Sequence, residues 1–433
     1  MKAFLTLALL LVLAFTKSAV AAEGPNIQAR AAVLMDANTG IILYERQMHE
    51  ILYPASITKV MTALLTLESG YDGSERVHFS REAVYTLPWG AAHIAMNYGE
   101  TLTMDEALYA IMLPSANDVS IALAEFVAGS NSNFSELMTR RARELGAYNT
   151  NFTNPHGLHH EEHFTTAYDT AVIMRHAVQN PRFVEIISTA QYQIPPTELQ
   201  SDPRPLHNTN RMIQPTSNFF HPDVVGGKTG FTSQAMHTLV TYAKRGDISL
   251  IAVVLYNQRH VPYTDTEALI EYGFSIFQDL DIFNAESYIG SVMVTQPDDH
   301  PASPLPLYAR EDISMLLPRF AAEQITVYEE FPQNLRAPIQ AGQAVGSLLL
   351  KFDGLPLATV DVFAQSDIAL IAPPIADEQT FLSRFRVMAA ISAATLLLFL
   401  FIIRLIAVKH RRTLRQRARK QQQMTYRYKN FSK

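Results

Sequence analysis

Pro54-Ala55-Ser56-Ile57-Thr58-Lys59 opens the first helical run of the chain, and the rest of the sequence is read from it. Pro54 stops whatever precedes it, and from Ser56 to Ser69 the apolar spacing becomes helical. If Ser56 begins the helix, Lys59 lies three residues on, on the same face, with its amine within reach of the Ser hydroxyl. A Ser hydroxyl is a poor nucleophile until a base takes its proton. A Lys whose ammonium form is disfavoured by burial and nearby positive charge can be that base. The helix N-terminus also supplies a backbone N–H for an oxyanion. Alone, Ser-x-x-Lys is common by chance and reads as an N-cap Ser with a solvated Lys.

Two further elements change that reading. Ser115-Ala116-Asn117 follows Met112-Leu113-Pro114 and offers a second hydroxyl and an amide at a loop between helices. Lys228-Thr229-Gly230 has Gly226-Gly227 before it and Thr232 after it, and precedes a strand-like run. A Lys and hydroxyls on an edge strand can hold a substrate carboxylate, while Gly230 lets a substrate backbone approach closely.

Around these triplets the order of elements is legible. The apolar runs 31–35 and 41–44 flank Asp36-Ala37-Asn38-Thr39-Gly40 as a hairpin. Residues 80–200 are mostly helical in pattern, notably 104–112, 119–127 and 134–145. Strand character returns at 237–243 and 248–256, a second hairpin over Lys244-Arg245-Gly246-Asp247, and 268–277 reads as a closing helix. Strands, a helical block, strands and a helix make an α/β fold whose first and last strands are candidates to be neighbours. After about residue 280 short β-like runs (291–294, 324–328, 347–351, 358–363) lie between Pro/Gly-rich turns, which suggests a small β domain.

The ends of the chain differ from its body. Lys2, the apolar run 3–15 and Ser18-Ala19-Val20-Ala21-Ala22 have the order of a secretory signal, with cleavage expected after Ala21 or Ala22. Residues 387–403 are uncharged, and the apolar character resumes beyond Arg404 to Val408, so the segment reads as a membrane span. Residues 404–433 hold 11 Lys/Arg and no Asp/Glu, leaving 24 basic against 41 acidic residues in the other 403, a net −17. The basic cluster from Lys409 places that end in the cytoplasm and the body outside, and so acidic a body argues against nucleic-acid binding. With 433 residues, 48 % hydrophobic and 18 % charged, the chain is a folded protein of two or three domains. Zero Cys removes thiol nucleophiles, disulfides and Cys-ligated zinc.

The ordered set Ser-x-x-Lys, Ser-x-Asn, Lys-Thr-Gly is the signature of serine acyl-transferases acting on D-Ala peptides and β-lactams. The chain resembles the low-molecular-weight penicillin-binding proteins that are D-alanyl-D-alanine carboxypeptidases. The likeness extends to Met35 through Gly40, Tyr53 through Leu65, Leu113 through Glu125, Asn154-Pro155-His156-Gly157-Leu158 and Gly226 through Thr232. It implies the β-lactamase/penicillin-binding-protein-like transpeptidase fold, an antiparallel sheet with a helical block, followed by the family's C-terminal β domain. The expected division is a signal peptide (1–22), a catalytic domain (23–279), a β-rich domain (280–372), a linker (373–386), a transmembrane helix (387–408) and a basic cytoplasmic tail (409–433).

By resemblance, Ser56 is acylated, Lys59 is its base, Ser115 relays a proton to the leaving amine, and Asn117 positions Ser115 and the substrate. Lys228 and Thr229 face the terminal carboxylate, with Gly230, Phe231 and Thr232 completing the substrate strand; the N–H groups of Ser56 and Phe231 form the oxyanion hole. The implied activity is removal of the terminal D-Ala from peptidoglycan stem pentapeptides, with acylation by penicillin. The implied partners are stem peptides, β-lactams and the cytoplasmic membrane, with no cofactor or metal; the sequence names no protein partner. Two features depart from the family: Met236 stands where a Gly is usual, and the C-terminal segment reads as spanning rather than as an amphipathic anchor.

Alternatives within the same chemistry are D-Ala endopeptidase, transpeptidase or weak β-lactamase action, and outside it a non-enzymatic β-lactam sensor. Residues 118–220 contain no Glu-x-x-x-Asn, the deacylating signature of class A β-lactamases. His159-His160-Glu161-Glu162-His163 contains an H-x-x-E-H spacing, but in a loop setting after Pro155-His156-Gly157, where a metal role is not expected. Trp89 reads as packing or surface.

Overall fold

The apolar runs on either side of the Asp36–Gly40 turn pair as a hairpin, β1 (Ala31–Asp36) and β2 (Ile42–Arg46), in the computed structural model. The structure describes residues 24–285, 288–296, 301–332, 335–370 and 387–396. The chain divides into two units, the first ending at Gln278.

In the first unit a 3-10 turn (Ala55–Thr58) runs into α1 (Lys59–Glu68), followed by β3 (Arg76–His78), α2 (Arg81–Tyr85) and β4 (Thr101–Thr103). The helical block continues with α3 (Met104–Met112), α4 (Asn117–Ala128), α5 (Asn131–Glu144), α6 (Ala167–Ala177) and α7 (Pro181–Ser188). A short hairpin of β5 (Gln191–Ile194) and β6 (Arg204–His207) leads to three long strands, β7 (Val224–Thr232), β8 (Met236–Arg245) and β9 (Ile248–Asn257), and then to α8 (Val261–Ile276).

Five strands form one antiparallel sheet in the order β2-β1-β9-β8-β7. β1 lies against β9, from Ala31 opposite Leu255 to Asp36 opposite Leu250, so the early and late strands are neighbours. Side chains alternate between two covered faces. Val33, Met35, Ile251 and Val253 share a core with Val60, Leu64, Ile111 and Ile173 of the helical block. On the other face Gly273 lets α8 close onto the sheet, where a Cβ would stand 2.8 Å from the Leu34 and Leu250 side chains. A sheet covered on both faces explains why its inner strands read as unbroken apolar runs.

The helices fall on the anticipated runs, but residues 86–100 and 145–166 between them are irregular. These stretches carry Pro88, Gly90, Gly99, Gly146, Pro155 and Gly157, and side chains satisfy their backbones. Asp118 accepts the N–H groups of Ile94 and Met96, and Asn154 accepts that of Gly157. α8 begins at Val261, seven residues before its apolar pattern does, with Pro262 in its first turn. There the buried Asp265 accepts from the backbone of Gln28 and Ala29, a polar role that apolar periodicity does not register.

β10 (Phe277–Phe283) leads into the second unit and pairs with β13 (Ile313–Pro318). A five-stranded antiparallel sheet follows in the order β11 (Tyr288–Val294), β12 (Ser303–Tyr308), β16 (Leu355–Ala364), β15 (Ala344–Phe352) and β14 (Ile325–Glu330). It has its own core of Val294, Leu305, Leu307, Leu348, Leu350 and Val362. Pro304 and Pro306 hid β12 from the sequence reading. They are tolerated because β16 pairs only with Leu307 and Tyr308, beyond the prolines.

Among the described residues no helix is long and apolar enough to cross a membrane. Of the predicted span, residues 387–396 are helical. Residues 397–408, the signal segment 1–22, the linker 373–386 and the tail 409–433 lie outside the described residues.

Candidate active site

The Ser56 segment begins as a 3-10 turn rather than as the single α-helix expected. With three residues per turn, side chains i and i+3 eclipse, which brings Lys59 Nζ to 3.2 Å from Ser56 Oγ. Ala55, just before Ser56, holds a left-handed φ of 52°, a conformation that non-glycine residues seldom adopt. Neighbouring hydroxyls clamp this turn. Thr238 of β8 donates to the Pro54 carbonyl at 2.9 Å, Thr58 donates to the Ala55 carbonyl at 2.8 Å, and Thr62 donates to Pro155 at 2.6 Å.

Lys59 is fully buried. Its Nζ donates to Asn117 Oδ1 at 2.6 Å and to the His156 carbonyl at 2.7 Å. Both partners are acceptors only. A neutral amine has two N–H bonds and one lone pair, so these oxygens take both N–H bonds and leave the lone pair for the Ser56 hydroxyl. The electrostatics favour that state. Burial pushes the Lys59 amine well below its ordinary range, the Lys228 ammonium adds to the effect, and the Asp118 carboxylate opposes it.

Ser115 also adopts a left-handed φ, 68°, at the loop between α3 and α4. Its Oγ is buried and has no hydrogen-bond partner among the described residues, so it is free to bond an arriving group. The Asn117 backbone N–H is fixed by Ala92 at 2.9 Å, which sets the amide that meets Lys59.

Lys228, Thr229 and Gly230 lie within β7, at the edge of the sheet, rather than ahead of a strand. Lys228 is 1 % exposed and donates to the Thr229 carbonyl at 3.0 Å; burial pushes its amine down to about 7. Gly230 is where the strand meets Ser56. A Cβ there would stand 2.8 Å from Ser56 N and 2.4 Å from Thr238 Oγ1. Phe231 is exposed, with its ring 4.5 Å from that of His237. The Thr232 hydroxyl accepts the Ala235 N–H at 3.0 Å and so holds the turn into β8. Met236 completes that turn at φ 55°, a left-handed position that a Gly would take without strain. Beside β7, Arg211, Thr229, Gly230, His237, Arg259 and Tyr263 line a cavity of about 170 Å³.

The structure therefore brings Ser56, Lys59 and Asn117 into direct contact, with Gly230 beside them and Lys228 close enough to perturb Lys59. Sequence reading missed Thr209, whose hydroxyl is 2.7 Å from that of Thr229 and whose N–H reaches the Leu113 carbonyl before Ser115. It also missed Thr238 and Asp118. Single Thr residues carry no signal, whereas an Asp directly after Ser-x-Asn in the first turn of α4 was a usable one. In the H-x-x-E-H string, the His159 ring packs edge-on to Tyr53, while both His163 nitrogens are engaged by Thr58 and Thr153. Trp89 is fully exposed.

The profile of the D-alanyl-D-alanine carboxypeptidases matches residues 18–259, and that of the penicillin-binding protein 5 C-terminal domain matches residues 277–369. The chain is 34 % identical over 351 residues to the D-alanyl-D-alanine carboxypeptidase DacF of Bacillus subtilis (strain 168), an alignment covering 79 % of this chain and 86 % of that one. It is similar to the solved structure of penicillin binding protein 5 from Haemophilus influenzae, with TM-score 0.61 and 27 % identity over 80 % of this chain and 98 % of that one. For PBP3 from Streptococcus pneumoniae, described as a peptidoglycan synthesis regulatory factor, the TM-score is 0.62 at 26 % identity, covering 79 % and 100 %.

Proposed function

The chain belongs to the D-alanyl-D-alanine carboxypeptidase family, and on that premise we propose that Ser56 is its acylated nucleophile and Lys59 its base. The enzyme is a serine hydrolase with the penicillin-binding-protein fold and a C-terminal β domain. What carries the assignment is the Lys59 amine, whose two N–H bonds are taken by Asn117 and His156 and whose lone pair is left for Ser56 Oγ.

In the proposed sequence Lys59 Nζ takes the Ser56 hydroxyl proton as Oγ attacks the carbonyl carbon of the penultimate D-Ala. The charge on the carbonyl oxygen is met by the N–H groups of Ser56 and Phe231. The closeness of Gly230 to Ser56 N supports this pairing. Collapse breaks the C–N bond. The leaving amine of the terminal D-Ala takes a proton from the Ser115 hydroxyl, which has no partner among the described residues and is replenished from Lys59. Water then attacks the acyl-enzyme and returns Ser56 to its starting state. Lys228, with Thr229 and the cationic lining of Arg211 and Arg259, receives the substrate's terminal carboxylate. A β-lactam would acylate Ser56 by the same steps, its amine staying tethered after the ring opens.

Mass spectrometry of the protein incubated with penicillin tests the nucleophile. The parent gains one adduct, on the peptide carrying Ser56, and Ser56→Ala gains none while losing D-Ala release from a stem pentapeptide. An adduct of full yield on Ser56→Ala overturns the assignment.

We further propose, from the sequence pattern of the terminal segments, that residues 1–22 export the chain, 387–408 anchor it, and the basic tail from Lys409 stays in the cytoplasm. Protease added to intact spheroplasts then digests the body and spares a C-terminal tag. Loss of the tag without permeabilisation refutes the span.

A further inference from the structure

The turn that presents Ser56 is held by one histidine for which the acylation steps have no use. His163 is 2 % exposed and packs edge-on to Phe152, with ring centroids 5.6 Å apart. Its Nδ1 accepts the backbone N–H of Thr153 at 3.0 Å, which assigns the ring proton to Nε2. Nε2–H faces Thr58 Oγ1 at 2.9 Å, and the Thr58 hydroxyl in turn donates to the Ala55 carbonyl at 2.8 Å. The hydrogen bonds therefore run one way, from ring to hydroxyl to carbonyl. Burial, then the neighbouring His160 and His159 and more weakly Lys59, push the ring down to about 3, so it stays neutral through the working range of pH. The polarity of the relay is thus fixed.

The atom at which the relay ends is the sensitive one. Ala55 is left-handed, and only its surroundings keep it so. Its carbonyl oxygen is wedged between the Thr58 hydroxyl and the backbone of Gly157, where a Cβ would stand 1.9 Å from that oxygen and 2.9 Å from Thr58 Oγ1. The same segment supplies the His156 carbonyl that accepts a hydrogen bond from Lys59. Rotation of the Ala55–Ser56 peptide would swing the Ser56 N–H, the proposed oxyanion donor, away from β7.

We propose that His163 is a positioning residue for the nucleophile: through the Thr58 hydroxyl it fixes the Ala55 carbonyl, and with it the left-handed turn that aims Ser56 Oγ and Ser56 N–H at the substrate. This deepens the assignment of Ser56 and rests on it. A histidine that merely filled the core would affect stability alone. A positioning histidine governs the rate at which Ser56 is acylated.

The test measures, on the full-length protein, the second-order rate of acylation by a labelled penicillin, kcat and KM for a D-Ala-D-Ala peptide, and the melting temperature. Thr58→Val keeps the side-chain volume and removes the hydroxyl; His163→Phe removes both ring nitrogens. Each should slow acylation and kcat at least tenfold with KM within threefold. Thr58→Ser and His163→Gln, which keep a hydroxyl and a donor, should recover most of the loss. The double variant should be no slower than the slower single, because both break one relay. Acylation by folded Thr58→Val within tenfold of the parent overturns the proposal, as do fully multiplicative losses in the double variant. Thr58→Val decides the matter alone if His163→Phe does not fold. Ser56→Ala run alongside separates the two readings. If it still labels, the nucleophile itself is misassigned; if it is silent while Thr58→Val labels normally, only the role of His163 falls.

Discussion

Replacing Lys228 by Met should make the protein more stable, and by an amount that depends on pH in a stated way. The Lys228 ammonium is buried with one carbonyl as its partner, and its pKa falls from 10.5 to about 7. A depressed lysine disfavours the folded state wherever the unfolded chain binds a proton that the folded chain binds less well. Below pH 7 both states are protonated and the folded state carries the full penalty, about 5 kcal/mol at 1.36 kcal/mol per pH unit. Between about 7 and 10.5 the folded lysine is neutral while the unfolded one is still charged, so stability climbs with pH; above 10.5 the penalty is gone. Linkage gives about 5 kcal/mol at pH 6, about 3 at pH 8 and about 1 at pH 10. Lys228→Met removes this term and leaves the packing nearly unchanged, so its advantage over the parent should shrink by about 4 kcal/mol from pH 6 to pH 10. Urea denaturation of both proteins at the three pH values measures the double difference, in which other titrating groups cancel. An advantage that is constant with pH, or that grows, would falsify the view that Lys228 is held in its site against its own charge.

Two further substitutions probe the nucleophile. Lys59→Arg should lower the acylation rate by about 10³ or more, because a guanidinium cannot give up its proton to become the base; a rate within tenfold of the parent, about 1.4 kcal/mol of barrier, would mean that another group activates Ser56. Gly230→Ala places a Cβ 2.4 Å from Thr238 Oγ1 and 2.8 Å from Ser56 N, so it should destabilise the fold by about 1–3 kcal/mol and cut acylation more than tenfold; parent-like kinetics would show that β7 can move off the nucleophile freely.

The parts of this fold that were legible in the sequence are those that bury a regular stripe. The hairpin of β1 and β2, the helices α3 to α5 and the late strands all follow from periodicity, and the pairing of β1 with β9 follows from their order. The triplets, each common alone, pointed to the groups proposed as catalytic because they occur together in that order. What periodicity could not register was held by single polar contacts across long stretches of chain. Asp118 orders the irregular run at Ile94 and Met96, Thr238 reaches back to Pro54, and Thr209 joins the loop of Ser115 to the strand of Thr229. β12 was missed for the opposite reason: its prolines argue against a strand, and only the short pairing with β16 makes them harmless.

The same contrast explains where this chain breaks the rules of stable design. Two lysines lie buried in one site, and among the described residues no carboxylate is bonded to either. Ala55 and Ser115 are left-handed without being glycine, and the Ser115 hydroxyl is buried without a partner among the described residues. Each feature is destabilising taken singly, by about 1–3 kcal/mol for a strained backbone position or an unpaired hydroxyl. Each also has one chemical consequence in the proposed mechanism: amines whose neutral form is favoured by burial, a presented nucleophile, and a hydroxyl to meet the leaving group. Scattered over the molecule they would mark a poor fold. Gathered around Ser56 and backed by the buried helical core, they form a centre whose reactivity is the strain and desolvation that the surrounding structure sustains.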